Sequence, residues 1–341
     1  MNRGGLRRST AMLLVLAAAM AGCSSNPLTA PPPTIETAQP AVSPPAVTRP
    51  AGRTLPLGGH PQAALFDDRT HSLVVFAPGS GPQSAATLAL FGPSGARRDV
   101  TLPGPATAIA GDGKGSVYLS TRGGYFTVDL ATGNAARLDI SEESDTDFTA
   151  IARRADGRLV LGSADGTVYT LGSDTAVAEK AKEFARVDAI VADGNNAVVL
   201  DRGQTSVTSL NSNGQTQQAL RAGESATTIA ADPLGRVLVV DTRGGQLLVF
   251  GVDPLIERQA YPVPQAPYGL VGSRNLAWVS QTADNVVVGY DLATGIPVEK
   301  VRYPTVQQPN SLAFDDASGT LYVVSGSGAG VQVIPNAAGA R

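Results

Sequence analysis

The sequence predicts an all-β chain: a seven-bladed β-propeller closed by an N-terminal strand and preceded by a signal peptide and a disordered proline-rich tether. Three observations predict it. A short motif ending in Leu or Ile recurs at Leu65, Ile109, Ile151, Ile190, Ile229, Leu270 and Leu312, at intervals of 39–44 residues. A period near 41 residues with several strands per unit is that of propeller blades. Each unit then carries further short apolar runs separated by Gly- or Asp-containing turns, such as Gly123-Gly124 and Gly244-Gly245. Finally, the last unit stops at Val331–Ile334 without a fourth strand, and Thr54-Leu55-Pro56-Leu57, ahead of the first unit, supplies one.

The N-terminus, residues 1–22, reads as a lipoprotein signal peptide. Arg3, Arg7 and Arg8 form a basic start, and an apolar stretch from Ala11 to Ala21 follows. That stretch has the length of a signal h-region and is too short to span a bilayer. It ends in Met20-Ala21-Gly22-Cys23, which resembles a bacterial lipobox, with Met20 where Leu is usual. The resemblance implies cleavage before Cys23 and lipidation of its sulfur, and hence a chain anchored at the extracytoplasmic face of the membrane. Cleavage at a small-x-small site such as Ala19-Met20-Ala21, with Cys23 a spare thiol, is the alternative.

Residues 23–52 follow as a Pro/Ala/Thr-rich linker. Pro31-Pro32-Pro33 and Ser43-Pro44-Pro45 stand in a stretch with no hydrophobic periodicity, which reads as an extended, partly polyproline-II tether. The propeller is expected over 53–336 and a short tail over 337–341.

Within each unit the second strand falls at Leu73–Phe76, Val117–Leu119, Leu159–Leu161, Val198–Leu200, Val237–Val240, Leu276–Val279 and Leu321–Val324. Their near-continuous apolar character suits strands buried between neighbouring blades. A solenoid is the structural alternative, and four strands per repeat favour the ring. Pro56 is tolerable in a closing strand because the outermost strand of a blade needs no donor on its free side.

Composition narrows the partners. The chain has 26 basic and 29 acidic residues and a net charge of −3. Losing residues 1–22 removes three Arg and no acid, leaving 23 against 29 and a charge of −6. With no basic block, nucleic acid is not an expected partner. A single cysteine, Cys23, excludes an intramolecular disulfide and thiol-type zinc spacings.

Units such as Pro309-Asn310-Ser311-Leu312-Ala313-Phe314-Asp315 followed by Thr320-Leu321-Tyr322-Val323-Val324 resemble the repeats of NHL and YVTN-type propellers. The chain as a whole resembles the mycobacterial cell-envelope lipoproteins of the LppL family. Cys23-Ser24-Ser25-Asn26-Pro27, Asp147–Arg154, Leu159–Gly166, Val199–Val207, Asp241–Val249 and Gly289–Asp315 carry that likeness. It implies an exported, membrane-anchored propeller and assigns no reaction.

Ligands of propellers usually meet the face where the loops leading into the inner strands gather with the second-to-third-strand turns. The leading loops place Gln62, Asp188 and Asn310 there, together with His60, Asp147, Arg186, Gln265, Tyr268 and Gln308. The turns add Arg122, Arg202 and Arg243, in Thr-Arg-Gly-Gly, Asp-Arg-Gly-Gln and Thr-Arg-Gly-Gly. Three guanidinium groups at equivalent positions suit an anionic ligand. The alternative pairs each Arg with an Asp of its own blade (Asp201, Asp241) or of a neighbour.

Catalytic patterns are sparse. His60 and His71 are the two histidines, one expected on the rim and one in a hairpin turn of the opposite face. No Gly-x-Ser-x-Gly elbow stands beside a suitable base and acid. A metal-dependent lactonase propeller needs several convergent oxygen ligands. The channel-mouth positions read as Gln62, Ala106, Phe148, Val187, Ala226, Tyr268 and Asn310, mostly apolar. A quinone-dependent dehydrogenase would have one tryptophan, Trp278, expected between blades. The reading is therefore a binding or scaffolding module without metal or cofactor, its partner an envelope protein or an anionic small molecule. A lactonase-like hydrolase or a quinone-dependent dehydrogenase using the central channel is the alternative.

Overall fold

A computed structural model describes Met1 and residues 32–339. Blade 1 comprises β2 (Ala63–Asp67), β3 (Ser72–Ala77), β4 (Thr87–Phe91) and β5 (Arg97–Thr101), after a leading strand β1 (Arg53–Leu55). Blade 2 is β6 (Ala108–Gly111), β7 (Ser116–Thr121), β8 (Gly124–Asp129) and β9 (Ala135–Asp139). Blade 3 is β10 (Phe148–Arg153), β11 (Leu159–Ser163), β12 (Thr167–Leu171) and β13 (Val177–Lys182). Blade 4 is β14 (Ala189–Asp193), β15 (Asn196–Asp201), β16 (Ser206–Leu210) and β17 (Thr216–Arg221). Blade 5 is β18 (Ala226–Ala231), β19 (Arg236–Asp241), β20 (Gln246–Val252) and β21 (Leu255–Pro262). Blade 6 is β22 (Pro267–Gly272), β23 (Ala277–Gln281), β24 (Val286–Asp291) and β25 (Val298–Pro304). Blade 7 holds β26 (Pro309–Asp315), β27 (Thr320–Ser325) and β28 (Val331–Ile334), completed by β1.

Each blade is a four-stranded antiparallel sheet with sequential strand order, except the seventh, whose order is β1-β28-β27-β26. Arg53, Thr54 and Leu55 pair with Val333, Gln332 and Val331. The N-terminus thus covers the free edge of β28, which would otherwise be open to pairing with another chain.

The core lies between the blades. Along β19, Val237 and Val239 face blade 4 beside Val198 and Leu200, while Leu238 and Val240 face blade 6 beside Ala277 and Val279. Both faces of the strand are buried, so its sequence reads as one apolar run. Similar clusters fill each of the seven junctions, including that of blade 7 with blade 1, where Val324 and Val331 meet Leu73 and Val75. Trp278 is fully buried between blades 6 and 7, stacked on Phe314 at 5.7 Å between ring centroids. Removing such a ring costs about 3–5 kcal/mol.

Two boundaries differ from expectation. Ala337, assigned to a tail, is buried; its N–H donates to Gly319 O (2.8 Å) and its carbonyl accepts from Tyr303 Oη (2.8 Å). Residues 32–52 form no helix or strand, as a proline-rich stretch should, but they do not stand off the ring. They lie along its rim as a strap. Cys23 and the signal segment fall outside the described residues.

Candidate functional site

The centre of the ring holds a cavity of about 350 Å³, within the range of small-ligand pockets. Its wall is aliphatic where the repeat places Ile109, Ile151, Ile190, Ile229, Leu270 and Leu312. Toward the mouth it turns polar, with Gln62, Thr107, Asp188, Thr227, Tyr268 and Asn310.

A backbone irregularity shapes this mouth in four of the blades. In blades 3, 5, 6 and 7 the inner strand slips register between Phe148 and Ala150, Ala226 and Thr228, Pro267 and Leu270, and Pro309 and Ser311. Such bulges leave a residue outside the ladder and re-aim its side chain. Thr149, Thr227, Tyr268 and Asn310 occupy these positions. The expected mouth positions Ala106, Phe148, Val187 and Ala226 are instead buried between blades. The sequence reading was one residue out of step in those blades and so missed the threonines. Their signal was present: Ala-Thr-Ala-Ile, Phe-Thr-Ala-Ile and Ala-Thr-Thr-Ile put Thr two residues before the repeat's closing Ile. Thr107 and Thr149 hydroxyls donate across to the next blade, to Phe148 O (2.6 Å) and Val187 O (2.5 Å).

Asp188 is the carboxylate of this mouth. It is 15% exposed; its Oδ2 accepts the Arg202 N–H at 2.8 Å and its Oδ1 the Arg186 Nε–H at 3.2 Å. Burial raises its pKa above the usual aspartate value, outweighing the opposite pull of the Arg202 N–H and the Arg186 charge. Asn310 Oδ1 accepts from Gln308 Nε2 at 3.0 Å.

The strap runs beside this mouth. Its Ile35 N–H donates to Gly203 O (2.7 Å) in blade 4, and Ala38 N–H to Ser225 Oγ (2.9 Å) in the loop leading into blade 5. Arg243 Nη2 donates to Glu36 O (2.8 Å), and Arg202 Nη2 to Ala38 O. Farther along, Gln308 Nε2 donates to Ala41 O (2.8 Å) and its Oε1 accepts the Ser43 N–H (3.0 Å). Ser43 is buried, its hydroxyl donating to Thr282 O at 2.5 Å. Gln307 Nε2 and Asn285 Nδ2 then hold Ser43 O (3.0 Å) and Pro44 O (2.8 Å). The chain finally descends between blades 6 and 7, where Gln332 Nε2 holds Ala51 O (2.8 Å).

The three candidate arginines therefore have unlike surroundings. Arg202 and Arg243 grip strap carbonyls. Arg122, in the open half of the rim, pairs with Asp145 (3.0 Å) and Asp147 (3.2 Å) on the loop leading into blade 3. Among the described residues Asp201 and Asp241 pair with no arginine side chain; both are fully buried and tie backbone amides. Asp241 accepts from Glu224, Ser225 and Gly244, and Asp201 from Ala185, Arg186 and Gln204. Gly223 and Gly244 lie so close to the Asp241 carboxylate that a Cβ on either would overlap Oδ2.

His60 and His71 are exposed, His71 in the turn between β2 and β3. Among the described residues no group of three or more His, Cys, Asp or Glu gathers as a metal site. Gln62 is exposed at the lip of the cavity.

No family model and no curated protein matches the chain. Solved structures do. The chain is similar to the WD40 repeats of RRP9, at 13% identity and a TM-score of 0.71, over 84% of this chain and 99% of that one. It is similar to a streptogramin B lyase at 11% identity and a TM-score of 0.66, over 84% of this chain and 97% of that one. A chain of the Mitotic Checkpoint Complex matches at 10% identity and a TM-score of 0.67, over 88% and 96%. Identities this low establish the fold, a seven-bladed β-propeller.

Proposed function

We propose that the protein is an exported lipoprotein of the LppL type, anchored through Cys23 at the extracytoplasmic face of the cell membrane, whose propeller works as a binding module. The cavity is the observation that carries the binding role. Its polar groups are already held in place by the ring, Asp188 by the Arg202 N–H and Arg186, Asn310 by Gln308. Groups fixed in this way hold a ligand at low entropic cost. An envelope protein or an anionic metabolite is the partner class. A propeller inside a complex, as in the Mitotic Checkpoint Complex structure, supports the first, whereas the rim arginines expected to serve the second are already engaged by strap carbonyls or by Asp145 and Asp147. Two or more acyl chains give stable anchoring where one is reversible.

Cys23→Ser in the full chain tests the anchor. The wild type is expected in the detergent-rich phase on phase separation and the variant in the aqueous phase. A variant that stays with detergent overturns the lipobox reading without touching the propeller.

A second reading, an extracytoplasmic hydrolase, dehydrogenase or lyase, draws on one observation. Asp188 is a carboxylate of raised pKa in a cavity, the environment of many general acids and bases. The similarity to a streptogramin B lyase belongs to this reading only as shared fold. Turnover of lactone or sugar substrates that disappears in Asp188→Asn, in a variant of unchanged melting temperature, would establish it. Ligand binding that survives Asp188→Asn without turnover favours the binding module.

A further inference from the structure

We infer that the rim of blades 4–7 is a recognition surface for an extended, proline-containing polypeptide segment, and that residues 35–44 of the chain itself are its resident occupant. The inference goes beyond the anchoring and the cavity, and stands whether or not Cys23 is lipidated.

The contacts are those of conformation-reading recognition. The strap presents the carbonyls of Glu36, Ala38, Ala41, Ser43 and Pro44, and the ring meets them with Arg243, Arg202, Gln308, Gln307 and Asn285. A proline-rich strand has free carbonyls because it makes no hydrogen bonds of its own, and its restricted backbone loses little entropy on docking. Side chains of the strap contribute little apart from Ser43, so another segment of the same backbone form would satisfy the same donors.

The rim is built for this task. Gln308 and Asn285 adopt left-handed backbone conformations, with φ of 58° and 53°. A side chain there carries a steric cost that Gly would avoid. Both positions spend that cost on amides that hold the strap, and the Gln308 N–H bonds back to Asn285 Oδ1 at 3.1 Å.

The occupant is seated shallowly. Ile35 and Val42 are exposed on it, Val42 at 91%, so little apolar burial holds it. Arg202 Nε is shielded from solvent without an acceptor among the described residues, which leaves the grip incomplete. A segment held by peripheral hydrogen bonds opens well before the core that carries it. It is thus a displaceable occupant, and its opening is felt at the cavity. Gln308 links Ala41 to Asn310, and Arg202 links Ala38 to Asp188.

The test keeps the full chain and replaces residues 35–44 by a Gly/Ser sequence of equal length. The probe is a fluorescent peptide with the sequence of residues 33–46, scored by anisotropy. The Gly/Ser variant is expected to bind it at least ~10-fold more tightly than the wild type, whose own strap competes at an effective concentration in the millimolar range. Adding Arg202→Ala and Gln308→Ala should abolish that binding, with the melting temperature reporting an intact ring. A folded Gly/Ser variant that does not bind the peptide overturns the inference. So does equal binding of a Gly/Ser control peptide, since recognition would then not depend on the extended proline backbone.

Discussion

Arg122 and Arg243 stand in the same Thr-Arg-Gly-Gly sequence at the same turn of their blades, yet one faces two carboxylates and the other a peptide carbonyl. The cause lies in the neighbouring loop. Blade 3 is led in by Ser141–Asp147, which carries Glu142, Glu143, Asp145 and Asp147 beside Arg122. Blade 6 is led in by Pro264-Gln265-Ala266-Pro267, which offers Arg243 no acid. In the open half, exposed ion pairs satisfy the cations at little gain in stability. In the strapped half, Arg243 meets no acid on the adjoining loop and holds the strap. A repeat fixes where a side chain stands, and its neighbour decides what the side chain does.

The largest difference should come from the last residue of the second strand, compared between blades 4 and 5 of the strapped half and blade 3 of the open half. In blades 4 and 5 it is Asp201 and Asp241, each buried and each accepting three backbone N–H groups. In blade 3 the equivalent Ser163 ties only its own turn, accepting from Thr167 N–H and donating to Asp165. Asp241→Ala orphans three amides and should cost on the order of 3 kcal/mol, a drop of roughly 6–12 °C in melting temperature. Ser163→Ala should cost about 1 kcal/mol. Equal losses in the two variants would show that blades 3 and 5 hold their rim loops alike.

A smaller effect should separate the arginines. Arg202→Gln combined with Arg243→Gln weakens the strap by about 1–3 kcal/mol, so its protected amides, those of Ile35, Ala38 and Ser43, should exchange roughly 5–150-fold faster. The ring's melting temperature should barely move. Arg122→Gln should leave strap exchange unchanged, and a faster strap in that variant would break the distinction between the halves.

These variants also mark what the sequence could and could not say. Seven blades were legible because a strand buried on both faces leaves an uninterrupted apolar run, as Val237–Val240 does. Closure was legible because the seventh unit visibly lacked a strand and Thr54-Leu55 preceded the first. The mouth was read one residue off in blades 2 to 5; in blades 3 and 5 a bulge changes which side chain leaves the ladder without changing composition, while blades 2 and 4 show the same offset with an unslipped ladder. The strap was invisible for a different reason. Its own residues have no periodicity, and its seat is made of single polar side chains such as Arg202, Asn285 and Gln308, each far away in sequence. Gln308 had been placed on the rim and given no role; only the structure shows its amide spanning Ala41, Ser43 and Asn310.

The smallest effect is electrostatic, and its sign should differ between the halves. Asp165, in the open half, is penalised by burial, but hydrogen bonds from Ser163, Lys182 and Thr167 outweigh this and lower its pKa to about 2 from an ordinary 3.8. Its stabilisation is present above pH 3.8 and is lost as pH falls through about 2. The side chain is more than half exposed, so solvent screening keeps the effect small. Asp188, in the strapped half, has its pKa raised by burial. Its contribution is fully present below pH 3.8 and is lost as pH rises through the raised value. Asp165→Asn should therefore be less stable than wild type at pH 7 and converge with it toward pH 2. Asp188→Asn keeps an acceptor for the Arg202 N–H and escapes the cost of a buried charge. It should match or exceed wild type at pH 7, with the advantage shrinking below pH 4. Urea melts of both variants from pH 2 to 8 would read the two slopes, and slopes of the same sign would mean that the rim's halves share one electrostatic environment after all.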